Sequence, residues 1–232
     1  EQRGRQGEGG AQIGIGAGFV EQDPEEIYSS VLSSVRDCLQ GFEGTAAACG
    51  ISNQRETFLL WDSGGNPLGP AVVWQCKRSI GVCERLKSAG LEEDIRKRTG
   101  LIIDPYFSGT KLLWLRDNRP EVWSQARTFH CFEDLIHTRL GIEPAMSWPL
   151  AGRTMLFDVR RHDWDESILD AIGLDRSRLP RTLPSGEIVG RIPADVAREL
   201  GRAVDDADGR GLGTQGERAP DVRVRDGVAI AV

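Results

Sequence analysis

The residues whose types and spacing suggest chemistry form a polar run between two apolar segments. The run reads SNQRET at positions 52–57, between a strand-like segment at 45–51 and the apolar tetrapeptide FLLW at 58–61. Arg55 and Glu56, a cation and an anion, are adjacent within it. Six polar residues are unusual for a tight connection between strands. The run therefore predicts either a solvated turn, in which this pair contributes little to stability, or a site for a ligand rich in hydroxyl groups.

The elements that must position this run are two strands and a turn. The sequence DSGGNP at 62–67 has the turn chemistry of a β-hairpin, so the chain is expected to return as a strand over Ala71–Trp74. Trp74 ends that strand, and on composition alone a tryptophan is more often a core residue than a ligand contact. Tyr106 lies in a loop just before a predicted helix, where functional residues often occur.

A helix ahead of the polar run is the best defined element of the sequence. Asp23 is placed to accept hydrogen bonds at the helix N-terminus, and Pro24 suits the first helical position. Apolar residues then recur at every fourth position from Ile27 to Leu39. The pattern predicts an amphipathic helix over 24–40 that packs on another element.

The remaining pattern predicts a mixed α/β protein. The small residues at 45–51 predict a strand packed closely beneath a helix, and Ile80 and Cys83 are expected on the buried face of their helix. Residues 142–153 are interpreted as mainly loop. Further helices are predicted at 79–89, 92–98, 108–117, 120–126, 133–140, 164–172 and 194–200, and further strands at 128–132, 155–159 and 228–232.

Composition excludes several classes of function. The 232 residues are 39% hydrophobic and 28% charged with a net charge of -6, and the basic residues are scattered, which argues against a nucleic-acid surface. No apolar run approaches the roughly 20 residues of a membrane span, and no signal peptide is expected. The five cysteines are dispersed and there are three histidines, so we expect no metal site and reduced thiols in a cytoplasmic protein.

The composition also divides the chain. Residues 1–18 are interpreted as a flexible, glycine-rich lead-in, and residues 19–200 as the main domain. Residues 201–226 are rich in Gly, Asp and Arg and are interpreted as a disordered or inserted loop. Residues 227–232 are expected to form a terminal strand of the same domain.

Five long motifs, in order over about residues 18–200, together resemble the FGGY family of carbohydrate kinases, and within it the glycerol-kinase branch. They read GISNQRET, AVVWQCKR, TGLIIDPYFSGTKLLWLRDN, AGRTMLFDV and HDWDESILDAIG. The resemblance implies an α/β fold of the ribonuclease-H-like (actin-like ATPase) type, an incomplete mixed sheet flanked by helices. It implies most of the first of two domains, the one that binds a small polyol or sugar.

The same resemblance implies ATP and Mg2+ as cofactors and the transfer of a phosphoryl group to a substrate hydroxyl. Arg55 and Glu56 match the pair that hydrogen-bonds polyol hydroxyls, and Trp74 and Tyr106 match the aromatics beside the carbon chain. A hydroxyl both donates and accepts, so a carboxylate beside a guanidinium satisfies it from two sides. Arg153, in the AGRT motif, is expected to be structural or to lie at the edge of the cleft.

Two departures from the family pattern bear on activity. Residues 1–18 contain no Asp-Gly-Thr phosphate loop, and no Gly-Asp-Gln motif with the general-base aspartate follows 228–232. We therefore assign no catalytic residue in this chain and expect it to be inactive or nearly so by itself. The alternative is a degenerate kinase module that binds a polyol or a partner protein without chemistry. The substrate and a homo-oligomeric state are left open.

Overall fold

The structure, a computed structural model, describes residues 18–42 and 48–200, together with the backbone of two further strands, one near each end. The strands are β1 (Gln12–Gly14), β2 (Val20–Gln22), β3 (Cys49–Ser52), β4 (Phe58–Trp61), β5 (Ala71–Val72), β6 (Thr128–Cys131), β7 (Ala145–Ser147), β8 (Phe157–Asp158), β9 (Asp163–Trp164), β10 (Arg181–Leu183) and β11 (Val228–Ala231). The helices are α1 (Pro24–Leu39), α2 (Ile80–Ser88), α3 (Glu92–Thr99), α4 (Ser108–Asn118), α5 (Pro120–Gln125), α6 (Phe132–Arg139), α7 (Trp148–Ala151), α8 (Glu166–Ile172) and α9 (Ala194–Glu199).

The largest sheet has five antiparallel strands in the order β1-β2-β5-β4-β6. The predicted hairpin is confirmed: β4 pairs with β5, and the side chain of Asp62 closes the turn by accepting from the backbone N–H groups of Gly64 (2.8 Å) and Asn66 (2.9 Å). Two parallel pairs, β10-β7 and β11-β3, and one antiparallel pair, β8-β9, accompany the sheet. Together they give the mixed α/β arrangement that the sequence predicts.

Strand β4 is buried on both faces, which explains its uninterrupted apolar sequence. Phe58 and Leu60 pack into the largest core cluster, whereas Leu59 and Trp61 pack into a second cluster with α1 and α6. Successive strand residues point to opposite faces of a sheet, so a strand covered on both sides needs no polar alternation. The polar run at 52–57 thus leads directly into the centre of the protein.

Helix α1 forms as its sequence predicts. The Oδ1 atom of Asp23 accepts from the backbone N–H groups of Glu25 (2.8 Å) and Glu26 (3.4 Å). Ile27, Val31 and Val35 are buried. The cap satisfies N–H groups that have no partner within the helix, and the apolar face contributes to the second and third core clusters.

Removing this cap gives a first test of the fold. We expect Asp23→Ala to lower the free energy of unfolding by about 1 kcal/mol, measured by denaturant titration, because two N–H groups lose their acceptor. Asp37→Ala is the matched control. Asp37 is exposed in the last turn of the same helix, where a carboxylate is unfavourable, so its removal should be neutral or slightly stabilising. Equal losses in both variants would contradict the assigned cap.

Several local expectations are wrong. Ile80 is 48% exposed, because the buried face of α2 is formed by Val82 and Cys83, of which Cys83 was expected there. Of the strand expected at 45–51, positions 45–47 lie outside the described residues, and Ala48, Cys49 and Gly50 are exposed rather than packed beneath a helix. Residues 142–153 contain a strand and a short helix, β7 and α7, instead of only loop.

One short strand lies near each end of the chain, and only the C-terminal one was predicted from the sequence. The proposed lead-in contains β1, which pairs with β2, a strand that the sequence pattern did not predict. The predicted strand near the C-terminus is confirmed as β11, parallel to β3. The expected loop at 201–226 and the rest of 1–17 lie outside the described residues. No helix in the described part of the chain is long and apolar enough to cross a membrane.

Candidate functional site

The first turn of α4, Ser108–Lys111, holds the backbone of the candidate site in place. Ser108, Thr110 and Lys111 are fully buried. The Ser108 hydroxyl donates to the backbone carbonyl of Glu56 (2.9 Å), and the Lys111 ammonium donates to the backbone carbonyl of Tyr106 (2.6 Å). One helical turn therefore holds two of the predicted site residues, although they are about fifty positions apart in the sequence.

The same turn contacts a third segment through Gly109. Its backbone N–H donates to the carbonyl of Thr154 at 2.8 Å. A Cβ atom at position 109 would lie 2.9 Å from that carbonyl oxygen, a separation that real Cβ atoms essentially never show. Glycine is therefore required for the close approach that brings Arg153, the neighbour of Thr154, to the site.

Glu56 occupies an unusual position at the end of the polar run. It is 2% exposed and adopts a positive φ of 62°, a conformation that residues other than glycine rarely take. Its Oε1 atom accepts from the Nε atom of Arg153 at 2.5 Å. No hydrogen bond to Oε2 is found within the part of the chain that the structure describes, so this oxygen is available to accept from a ligand.

Two aromatic rings lie next to this ion pair. The ring centres of Trp74 and Tyr106 are 5.3 Å apart at an interplanar angle of 52°. The guanidinium carbon of Arg153 lies 5.5 Å from the centre of the Tyr106 ring, within the range of a cation–π contact. The backbone N–H of Trp74 donates to the Thr57 hydroxyl (3.2 Å), which ties the end of the hairpin to the polar run.

Arg55 differs from its neighbour in being exposed. Among the described residues, it makes no hydrogen bond or ion pair, so its guanidinium is free to donate to a ligand. The structure thus brings Glu56, Trp74 and Tyr106 into one contact network and places Arg55 beside it in the chain. Trp74 and Tyr106 are each half-buried, so each can contact both the core and a ligand.

Nearby polar residues mainly hold the backbone. The side-chain amide of Gln54 donates to the side chain of Gln22 (2.7 Å). Asp104 accepts from the backbone N–H of Tyr106 (2.8 Å), as an Asp-Pro turn predicts. Cys76 is fully buried, in agreement with its interpretation as a small core residue.

Two residues of this network are not among the site residues that the sequence predicts. Arg153 is the ion-pair partner of Glu56 rather than only a residue at the edge, and Lys111 is a buried cation beneath Tyr106. Both lie within motifs that carry the family resemblance, AGRT and SGTK, so the motifs were the only available signal. No spacing rule could have paired Arg153 with Glu56, because 97 positions separate them.

Removing the cation of this ion pair should destabilise the protein. The Glu56 side chain is 3% exposed and that of Arg153 is 32% exposed. We expect Arg153→Met to lower the unfolding free energy by about 1–2 kcal/mol, less than for a fully buried pair because the guanidinium is partly solvated. Arg176→Met is the matched control, since Arg176 is similarly exposed but pairs with an exposed Asp163, and it should change stability by less than about 0.5 kcal/mol. Equal effects in denaturant titration would contradict a special role for the buried pair.

The fold places the chain in a known structural class. The gluconate kinase from Lactobacillus acidophilus superposes with a TM-score of 0.80 and 25% identity, covering 84% of this chain and 39% of that one. The Plasmodium falciparum glycerol kinase with ADP superposes with a TM-score of 0.75 and 26% identity, covering 82% and 40%. The fold is that of the actin-like ATPase class, as expected.

The sequence identifies the family within that class. The model of the N-terminal domain of the FGGY family of carbohydrate kinases matches residues 7–205. The chain belongs to this family. The glycerol kinase of Carboxydothermus hydrogenoformans is 39% identical over 189 residues, which are 77% of this chain and 38% of that protein. The chain thus spans about two fifths of the length of the curated relatives it matches.

Proposed function

We propose that this chain is the substrate-binding part of an ATP-dependent carbohydrate kinase that phosphorylates a polyol or sugar hydroxyl. The observation that carries the proposal is the meeting of the ion pair between buried Glu56 and half-buried Arg153 with the Trp74–Tyr106 ring pair at one turn of α4. Four separate stretches of chain meet there, and Glu56, Trp74 and Tyr106 are among the residues that the family resemblance implies. The similarity to glycerol kinases supports a small polyhydroxy substrate.

In this proposal, each group takes one part of the substrate. The free oxygen of Glu56 accepts from a substrate hydroxyl, and the exposed guanidinium of Arg55 donates to an oxygen of the same molecule. Trp74 and Tyr106 cover the carbon chain and exclude water. These contacts orient the hydroxyl for in-line transfer, a reaction that asks the protein mainly for positioning and charge stabilisation.

We assign ATP and Mg2+ to the reaction of the whole protein and place it in the cytoplasm. The family of carbohydrate kinases supports the use of ATP. Within the described part of the chain, no group of three or more His, Cys, Asp or Glu side chains is placed to hold an ion. No step of the chemistry is therefore assigned to a metal held by these residues.

Isothermal titration calorimetry of the chain with glycerol, xylulose and gluconate tests the proposal. We expect saturable binding of at least one of them and weaker binding by Arg55→Ala, because the exposed guanidinium loses its contact with the substrate. Arg119→Ala is the control, since Arg119 is an exposed arginine whose partner is a neighbouring glutamate. A chain that binds none of the three ligands, but forms a stable complex with another protein, would instead support the non-catalytic partner-binding module.

A further inference from the structure

Lys111 is a buried cation that the proposed function does not use. It is fully buried, although lysines are almost always exposed because removing an ammonium from water is costly. The chain has three other lysines, Lys77, Lys87 and Lys97, and all three are exposed. A lysine retained in the core therefore requires a specific explanation.

The contacts of Lys111 all lead to the candidate site. Its Nζ atom donates to the backbone carbonyl of Tyr106 at 2.6 Å. Its pKa is lowered to about 8, chiefly because burial disfavours the charged form, whereas the negative charge of Glu56 acts to raise that pKa. Lys111 thus lies within the electrostatic reach of Glu56 while it holds Tyr106 by a direct hydrogen bond.

Other charged and titratable groups also act on the pKa of Lys111, and the effect of Cys76 is larger than that of Glu56. Cys76 and Cys131 act to raise the pKa of Lys111, and Arg78 acts to lower it. Burial raises the pKa of the Cys131 thiol well above its usual range, so this group is neutral near pH 7 and gives no countercharge. Among the groups that act on the pKa of Lys111, Glu56 is the carboxylate.

The hydrogen bonds to Glu56 and to Tyr106 both come from one face of α4. Ser108 and Lys111 are three residues apart on α4, so their side chains lie on the same face of the helix. Ser108 holds the backbone of Glu56, and Lys111 holds the backbone of Tyr106. A change at Lys111 would therefore alter the position of the ring relative to the carboxylate.

We propose that Lys111 is a positioning residue for substrate binding: its buried ammonium fixes the Tyr106 backbone against the Glu56 carboxylate, so that ring and carboxylate meet one polyol together. This inference rests on the proposed function and names a residue that acts through Tyr106 and Glu56 without touching the substrate. Loss of the positive charge should weaken binding even where the fold is retained.

The pH dependence of binding is the first test. Glycerol, xylulose and gluconate are titrated into the wild-type chain from pH 6.5 to pH 9.5, and the chain is labelled with 13C at lysine Cε for NMR. One of the four lysine signals should titrate near pH 8, and it should shift when the ligand binds. Affinity should fall several-fold as the pH rises through that value, because the ammonium is then lost.

Lys111→Met is the second test, with Lys97→Met as the matched control on an exposed helix face. We expect Lys111→Met to bind about ten-fold more weakly, the cost of one charge-assisted hydrogen bond, and to lose the pH dependence. Lys97→Met should bind with the affinity and the pH profile of the wild type. Circular dichroism checks that each variant is folded. If Lys111→Met does not fold, the pH dependence of binding by the wild-type chain tests the role of Lys111.

The two proposals fail in different ways. Binding that is independent of pH between 7 and 9.5, or that is unchanged in folded Lys111→Met, would overturn the role of Lys111 and leave the proposed function standing. A wild-type chain that binds no polyol at any pH contradicts the proposed function itself, and the positioning role with it.

Discussion

Glu56→Gln should weaken polyol binding by roughly thirty-fold, or about 2 kcal/mol, the worth of a hydrogen bond to a charged acceptor. Glutamine keeps the size of the side chain and one acceptor, but it loses the charge and places an N–H₂ group where an oxygen stood. The effect on the free energy of unfolding should be smaller, because the Arg153 side chain is 32% exposed and its guanidinium can be solvated when it loses its partner. Calorimetry with the best ligand of the panel measures the first effect, and denaturant titration measures the second.

Glu133→Gln is the control for this prediction. Glu133 is a partly buried glutamate that accepts from the Ser147 hydroxyl (2.8 Å). It should leave polyol affinity unchanged. If both variants lost affinity equally, the loss would report a general disturbance of the core, and Glu56 would have no direct part in binding.

Arg78→Ala should lower the unfolding free energy by about 3–5 kcal/mol, more than any of the other single substitutions. The Arg78 side chain is 2% exposed and donates to Glu21 (10% exposed) at 2.5 Å, so its removal leaves a buried carboxylate without a counterion. The guanidinium also contacts two rings, 4.7 Å from the centre of Phe19 and 5.2 Å from that of Trp114. Alanine removes this packing together with the charge.

The double variant Glu21→Leu with Arg78→Met separates the two causes. It removes both charges and keeps most of the volume, so its unfolding free energy should lie within about 1–2 kcal/mol of the wild type. Thermal and denaturant unfolding of the single and double variants complete the comparison. A double variant as unstable as Arg78→Ala would show that shape, and not the unpaired carboxylate, dominates the loss.

The parts of the fold that could be predicted from sequence are those with a strong local signal. Helix α1 has a capping aspartate and a regular apolar period, and β4 has an apolar run bounded by turn residues. In contrast, β1 and β2 are three residues long, so neither shows a period, and they form because the sheet offers them partners. The error at Ile80 has a similar origin, since the elements packed against α2 decide which of its residues face the core, and the sequence does not show them.

The site residues also divide into those with a signal in the sequence and those that depend on tertiary contacts. Glu56, Trp74 and Tyr106 could be proposed from motifs, because their order and spacing are properties of the chain. The pairing of Glu56 with Arg153 depends on how α4 brings distant segments together, and no local pattern encodes it. Lys111 was missed for a general reason: a lysine is expected at the surface unless a structure shows otherwise.

The left-handed backbone of Glu56 sets function against stability at a single residue. An L-residue with φ of 62° carries a cost of about 1–2 kcal/mol that glycine would not. A change from glutamate to glycine would remove this backbone strain, but it would also remove the buried carboxylate that pairs with Arg153, so the two effects on stability oppose each other. Glycine would also remove the oxygen that is proposed to accept from the substrate, so this one position bears on both stability and binding.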